Sequence, residues 1–330
     1  MKSISPHQLI NDSFTRFSRK LFKKKRVKYY ISTDSQYKIN KRKRIDIIPH
    51  SREWQEFIDS TFEVLDSFLG VKFKRVKRAK KANLQILQVE WVDGLDSSAA
   101  TGRAKQKSKH WLVQYQAKNN YKDNSFRGYY DANTFIHELG HTLGLSHPKS
   151  DQYPEGSGIN PLFTTLDTAM SYNLPPDQHT FIPYFFTRND LLGLGEIWGF
   201  QDSDTKEIVE KSIFGGPGND TIFGEAGEDI LWGMEGDDLL ISQGTGNDIL
   251  IGGKGQDTYF IDGPAVIAEA ESGEEIALGQ LNQLQISSLH IQVINNSTFF
   301  SIDGQNILTV NNASVVETNV LPDNLTYKII

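Results

Sequence analysis

The stretch His137-Glu138-Leu139-Gly140-His141-Thr142-Leu143-Gly144-Leu145-Ser146-His147-Pro148 decides the reading of this chain. Residues i and i+4 share one face of a helix, so His137 and His141 can point at a single metal ion. Glu138 stands beside the first of them, within reach of a metal-bound water. Gly144 breaks the helix and tolerates a positive φ, which lets the chain turn back and present His147 as a third imidazole. Phe135, Leu139 and Leu143 fall on the buried side of the same helix. Three neutral imidazoles leave a zinc ion its charge and one open position. Water held there loses a proton near neutral pH while the metal polarises a scissile carbonyl. Glu138 is then the group that accepts the proton and returns it to the leaving amine. The pattern predicts zinc on His137, His141 and His147, with Glu138 as general base.

These residues match the zinc motif of the metzincins, and Pro148 makes the pattern similar to the serralysin branch of secreted bacterial proteases. Thr168-Ala169-Met170-Ser171-Tyr172 resembles the family's methionine turn. The resemblance implies that Met170 is a hydrophobic floor under the metal. It also implies that Tyr172 can ligate resting zinc and swing to stabilise the oxyanion. Asp190, Leu194, Ile197, Trp198 and Gly199 resemble the helix that closes the family's catalytic domain. The strand around Trp111–Gln116 falls where the family has a substrate-pairing edge strand.

Residues 215–262 repeat with a period of nine. Gly215-Gly216-Pro217-Gly218-Asn219-Asp220 opens the series, and Asp229, Asp238, Asp248 and Asp257 mark its later turns, with one extra residue before Asp248. This is the calcium-binding nonapeptide pattern of RTX proteins. Each turn supplies carbonyls and a carboxylate, each apolar triplet forms a short strand, and two nonapeptides make one coil. Calcium, which favours oxygen ligands, is expected to bridge Asp220 with Asp238, Asp229 with Asp248, and Asp238 with Asp257. Ten Asp/Glu share this window with Lys254 alone, so repulsion opposes folding without calcium.

Outward from these motifs, the 330-residue chain has a formal net charge of −6 and no cysteine, which excludes disulfides and thiol chemistry. Residues 1–45 carry 14 Lys/Arg against 2 Asp. That block reads as a solvated, partly disordered leader; nucleic acid as its partner is the weaker reading. No apolar run near Met1 has the length of a secretory signal, and no segment reaches that of a membrane span. Helices are expected over Ser51–Leu69, closed by Gly70, over Ala132–Leu143, capped by Asp131, and over Asn189–Trp198. Strands are expected at Lys28–Thr33, Asn83–Trp91 and Trp111–Tyr115.

The fold class is an α+β metzincin catalytic domain followed by an all-β domain, a parallel β-roll plus C-terminal strands. The boundaries are 1–25 for a basic extension or propeptide removed near Arg26, 26–200 for the protease, and 201–214 for a linker. The roll occupies 215–262 and the C-terminal β region 263–330. The resemblance implies a secreted, extracellular zinc endopeptidase acting on protein or peptide substrates. It implies export by one-step machinery that reads a C-terminal signal. The main alternative is a calcium-dependent adhesin or surface module with an inactive protease-like domain. A matrixin-like protease with an appended roll is disfavoured by Pro148 and Tyr172.

Overall fold

A computed structural model of the chain describes residues 2–38, 44–89, 102–116, 126–150, 154, 160–173, 185–279, 285, 287–321 and 324–330. It divides into two compact units, Met1–Glu210 and Lys211–Ile330.

The first unit contains, in order, α1 (Pro6–Leu9), α2 (Asp12–Leu21), β1 (Arg26–Ile31), β2 (Gln36–Lys38), β3 (Arg44–Asp46), α3 (Arg52–Phe68), β4 (Lys72–Arg75), β5 (Leu84–Gln88), β6 (Gly102–Gln106), β7 (Trp111–Tyr115), α4 (Phe126–Leu143) and α5 (Arg188–Trp198). Its last element, α6 (Thr205–Lys211), runs to the unit boundary. The sheet order is β4-β1-β5-β7-β6. Four strands are parallel, and β6 is antiparallel to β7. The result is an α/β layer with a mixed sheet.

Local chemistry explains most of these elements. Ser51 caps α3 by accepting from the Trp54 N–H at 3.2 Å, a bond generally worth about 1 kcal/mol. Trp54, Phe57, Ile58, Phe62, Leu65 and Phe68 form its buried stripe. Gly70 does not close α3 by a left-handed turn. Its N–H donates to the Gly199 carbonyl at 2.8 Å, and a Cβ there would sit 3.2 Å from the carbonyl oxygens of Trp198 and Phe200. The expected strand to Trp91 ends at Gln88; Trp91 lies outside the described residues.

Three expectations are corrected. Among the described strands the edge on this side of the sheet is β6, not the Trp111–Gln116 strand, which is buried between β5 and β6. The sequence of β6, Gly-Arg-Ala-Lys-Gln, has no apolar alternation because an edge strand buries little. Asp131 is not a cap: α4 starts at Phe126, and Asp131 is a buried residue within it.

The basic leader is not solvated either. Asn11 caps α2, accepting from the Phe14 N–H at 2.9 Å, and Ile4, Leu9 and Phe22 are buried in the first unit. Leu9, Phe14, Phe17 and Leu21 give this segment an apolar face, while its charges line the other side.

The second unit is all-β: β8 (Ser212–Pro217), β9 (Thr221–Phe223), β10 (Ile230–Glu235), β11 (Leu239–Gln243), β12 (Asp248–Lys254), β13 (Thr258–Asp262), β14 (Ala265–Glu269), β15 (Glu275–Leu278), β16 (Leu289–Ile294), β17 (Ser297–Ile302), β18 (Gln305–Val310), β19 (Val315–Leu321) and β20 (Asn324–Ile329). Even-numbered β8 to β14 stack in parallel in one sheet, and odd-numbered β9 to β15 in another. The middle residue of each short strand points inward, so Ile222, Leu231, Leu240, Leu250 and Tyr259 form one core with Ile267, Ile276 and Phe300. The parallel ladder begins at Ser212 and continues through β14 and β15, which carry no glycine–aspartate repeat.

His50 gives the first unit a pH dependence away from its motifs. It is buried, its Nδ1 lies 2.7 Å from the Ser32 carbonyl oxygen, and its ring packs 5.7 Å from Tyr115. Burial, with a smaller push from Arg75, lowers its pKa to about 4 against the opposing Ser32 bond. Between pH 6.5 and 4 the unfolded chain takes up a proton that folded His50 refuses. Stability is therefore full above pH 6.5 and falls by about 1.4 kcal/mol per pH unit below it. In urea titrations of metal-loaded protein at pH 7 and pH 5, His50→Gln should show the shallower pH dependence. Equal slopes would reject the assignment.

Candidate metal centre

Helix α4 carries His137 and His141 one turn apart. Gly144, with φ +112°, then turns the chain so that His147 comes back toward them. His137 Nε2 and His147 Nε2 lie 3.1 Å apart, and the ligand atoms of all three histidines fall within 4.8 Å of one another. A tetrahedral zinc with nitrogens at 2.0–2.1 Å holds its ligands roughly 3.3 Å apart, so the spacing suits such an ion. His137 Nδ1 lies 2.8 Å from the Ala169 carbonyl oxygen, and His141 Nδ1 lies 3.0 Å from that of Leu145. A carbonyl only accepts, so each Nδ1 carries the proton and each Nε2 keeps its lone pair for a metal.

Burial keeps these imidazoles neutral. It pushes His141 down to about 3 and His147 to about 4. His137 is lowered by burial first and by the other two histidines second. Three neutral imidazoles converging on one point form a site for a divalent cation.

Glu138 is buried beside the triad, and its Oε2 has no hydrogen-bond partner. Burial raises its carboxyl to about 8, while the Ala104 N–H and the Arg103 charge pull it down. Gly102 lets β6 approach: a Cβ there would come within 2.7 Å of Glu138 Cγ. The edge strand thus runs along the base.

Met170 is fully buried, and a Cβ at Gly140 would collide with its sulfur. Glycine inside a helix costs roughly 1 kcal/mol, offset here by room for that side chain. The turn bearing Met170 hangs on Asp190, fully buried at the start of α5. Its carboxylate accepts from the Thr168 hydroxyl, from the Ala169 N–H at 2.8 Å and from the Thr187 N–H at 2.9 Å. Ala169 in turn orients His137 through its carbonyl, so Asp190 acts on the ligand through one intervening residue. Tyr172 is 54 % exposed, with its ring 4.9 Å from His137 and 4.4 Å from His147.

Sequence reasoning missed the back of this site, which is built by the N-terminal segment. Ser18 donates to the Thr142 carbonyl at 2.6 Å and accepts from Trp111 Nε1 at 2.8 Å. The Asn11 N–H donates to the Gly144 carbonyl at 2.9 Å, and the Ser146 N–H to that of Leu9 at 2.6 Å. Phe14 packs edge-to-face on both His141 and Trp111, with ring centroids 5.5 Å and 5.6 Å apart. Residues 8–18 thus clamp the turn that delivers His147. The amphipathic Asn11–Leu21 pattern was the available signal, hidden by the charge of the block.

The five repeat aspartates lie in the second unit, all buried. Asp220, Asp238 and Asp257 form one column: each backbone N–H donates to the next carboxylate, Asp220 to Asp238 at 2.7 Å and Asp238 to Asp257 at 2.8 Å. Asp229 and Asp248 form the other, with a 3.1 Å bond. Burial raises Asp238 to about 8 and also raises Asp248 and Asp257. Stacked buried carboxylates with orphan oxygens at Asp238 and Asp257 suit a hard cation bound by oxygen.

Fold and triad together define a metallopeptidase domain followed by a calcium-binding β domain. Comparison with known families agrees. Residues 66–187 match the reprolysin-like metallopeptidase family M12B, and residues 212–240 and 244–260 match the RTX calcium-binding nonapeptide repeat in four copies. The chain thus carries a reprolysin-like metallopeptidase domain and RTX repeats, a combination consistent with the serralysin resemblance. No curated protein matches it. Among solved structures, the GM1-bound form of the ECX AB5 holotoxin is similar at 13 % identity and a TM-score of 0.34, over 54 % of this chain and 81 % of that one. A likeness that distant carries no conclusion. Among the described residues, no helix is long and apolar enough to cross a membrane.

Phe14→Ala should leave the far-UV circular dichroism of metal-loaded protein unchanged. It should raise the rate at which a chelator strips the ion by on the order of tenfold, the usual scale for losing support behind a ligand. An unchanged stripping rate would show that residues 8–18 do not brace the ligands.

Proposed function

We propose that this chain is a secreted zinc endopeptidase of the serralysin type, with Glu138 as general base and Tyr172 as oxyanion partner. The observation that carries the reading is the convergence of three neutral imidazoles beside a buried carboxyl group with an unpartnered oxygen. Zinc held by His137, His141 and His147 would supply a Lewis acid and an acidified water. Glu138 takes the water proton and passes it to the leaving nitrogen. Tyr172, exposed at the mouth and resting on two ligand rings, is placed to meet the developing oxyanion. An extended substrate is expected to add to the free edge of β6, where main-chain hydrogen bonds align it past Glu138.

RTX repeats favour export, and one-step machinery reading the C-terminus is the route we infer. Residues 2–25 support the metal site from behind, which favours their retention over removal as a propeptide. The adhesin reading leaves the imidazole convergence and the orphan Glu138 oxygen without a purpose.

Metal analysis should find one zinc per chain together with chelator-sensitive hydrolysis of casein. Glu138→Ala should retain that zinc while activity drops on the order of 10²–10⁴-fold. Near-wild-type activity in that variant would reject the base assignment, and inactivity of zinc-loaded wild type toward any unfolded protein would favour the adhesin.

Chelating calcium at pH 7.5 should remove β-sheet circular dichroism from residues 211–330, reversibly. With the ion gone, buried carboxylates repel and glycine entropy opposes order. A spectrum that ignores chelator would show that the roll stands without calcium.

A further inference from the structure

The aspartate ladder has a further rung that the nonapeptide pattern does not contain. Strand register fixes it. Leu239 pairs with Thr221, Thr258 with Leu239, and Glu275 with Thr258, so the residues preceding them align as Asp220, Asp238, Asp257 and Glu274. The main-chain bonds repeat in step: Leu239 N–H to Asp220 O at 2.8 Å, Thr258 N–H to Asp238 O at 2.8 Å, and Glu275 N–H to Asp257 O at 3.0 Å. Glu274 lies beyond residue 260, where the repeat match stops.

Its surroundings are built rather than incidental. Glu274 is fully buried and Asp257 is 1 % exposed. Glu274 Oε2 is held by the Tyr259 hydroxyl at 3.2 Å and the Glu271 N–H at 2.8 Å. Its other oxygen, Oε1, has no donor, and neither has Asp257 Oδ2. Gly252 keeps the space clear: a Cβ there would run into Asp257 Oδ2 and would sit 2.5 Å from the Tyr259 hydroxyl. The Glu269 carbonyl oxygen lies 3.4 Å from the same hydroxyl. Burial raises both carboxyl groups; Asp257 raises Glu274 further, while Glu274 draws Asp257 down, so the two carboxyl groups face each other directly. Among the described residues, no lysine, arginine or histidine bonds or pairs with either carboxyl group.

We propose that Asp257 Oδ2 and Glu274 Oε1 bind a calcium ion one rung beyond the last repeat, with Tyr259 orienting Glu274. This ion closes the ladder at β15 and ties the roll to the C-terminal strands, since β15 pairs with β20. Two carboxylates supply the hard oxygen ligands that calcium takes. The proposal rests on the calcium reading of the repeats.

The test is calcium titration of the full-length, zinc-loaded protein by calorimetry, comparing wild type with Glu274→Gln and, as control, the exposed neighbour Glu275→Gln. Glu274→Gln keeps the shape and the bonds to Tyr259 and Glu271 but removes the charge. The expected result is one calcium fewer per chain in Glu274→Gln and an unchanged count in Glu275→Gln. An unchanged count and affinity in Glu274→Gln would overturn the proposal and assign the pair a shared proton. Should that variant not fold, Glu274→Asp decides: weaker uptake at the same count supports the site, and an unchanged isotherm overturns it. Wild type that takes up no calcium would instead defeat the reading beneath it, a separate outcome.

Discussion

Three neutral imidazoles converge on one point, His137 and His141 each turning an Nε2 lone pair toward it, and a cation there satisfies all three. The first unit is organised to hold that arrangement. Gly144 supplies the reversal that a residue with a Cβ resists, since its φ is +112° and Thr15 Oγ1 would lie 2.6 Å from the added carbon. Carbonyls of Ala169 and Leu145 fix the tautomers. Asp190 fixes Ala169, and α2 fixes the turn. Remove any of these and the rings lose the support that orients them toward a metal.

The second unit sets acidic groups where the first sets neutral imidazoles. Its columns bring buried carboxylates together every second nonapeptide, where only a cation or a proton makes them tolerable. Glycines admit this packing by leaving room for Asp oxygens: a Cβ at Gly215 would fall 2.5 Å from Asp220 Oδ2. Met234 shows the limit of the pattern. It holds φ +88° where its register partner is Gly253, a strained conformation for a residue with a side chain. Both units therefore keep frustrated donor sets that folding alone does not satisfy.

How much of this was legible depended on the range of each interaction. The ligand spacing His137–His141–His147 and the Gly144 turn are local, so periodicity and residue type revealed them. The inward residues of the roll were legible for the same reason, being fixed by a short repeat. Strand β6 was not, because an edge strand earns its place through hydrogen bonds to β7 and a close pass over Glu138, neither of which leaves an apolar pattern. The role of α2 was masked by composition: fourteen basic residues in the first 45 signal solvation, yet Phe14 and Ser18 lie on the face that meets α4. Glu274 escaped because its rung is set by strand register rather than by the glycine–aspartate motif.

The contacts behind the metal centre span most of the first unit in sequence. Leu9 bonds Ser146, Ser18 bonds Thr142, Ala169 meets His137, and Asp190 bonds Ala169. None of these pairs is close enough along the chain to form in an unfolded segment, since loop closure must come first. The ligand set therefore exists only once the whole unit has assembled, and metal binding draws on the same free energy as folding. Affinity for the ion is then a property of the packed unit, with the three histidines as its point of contact.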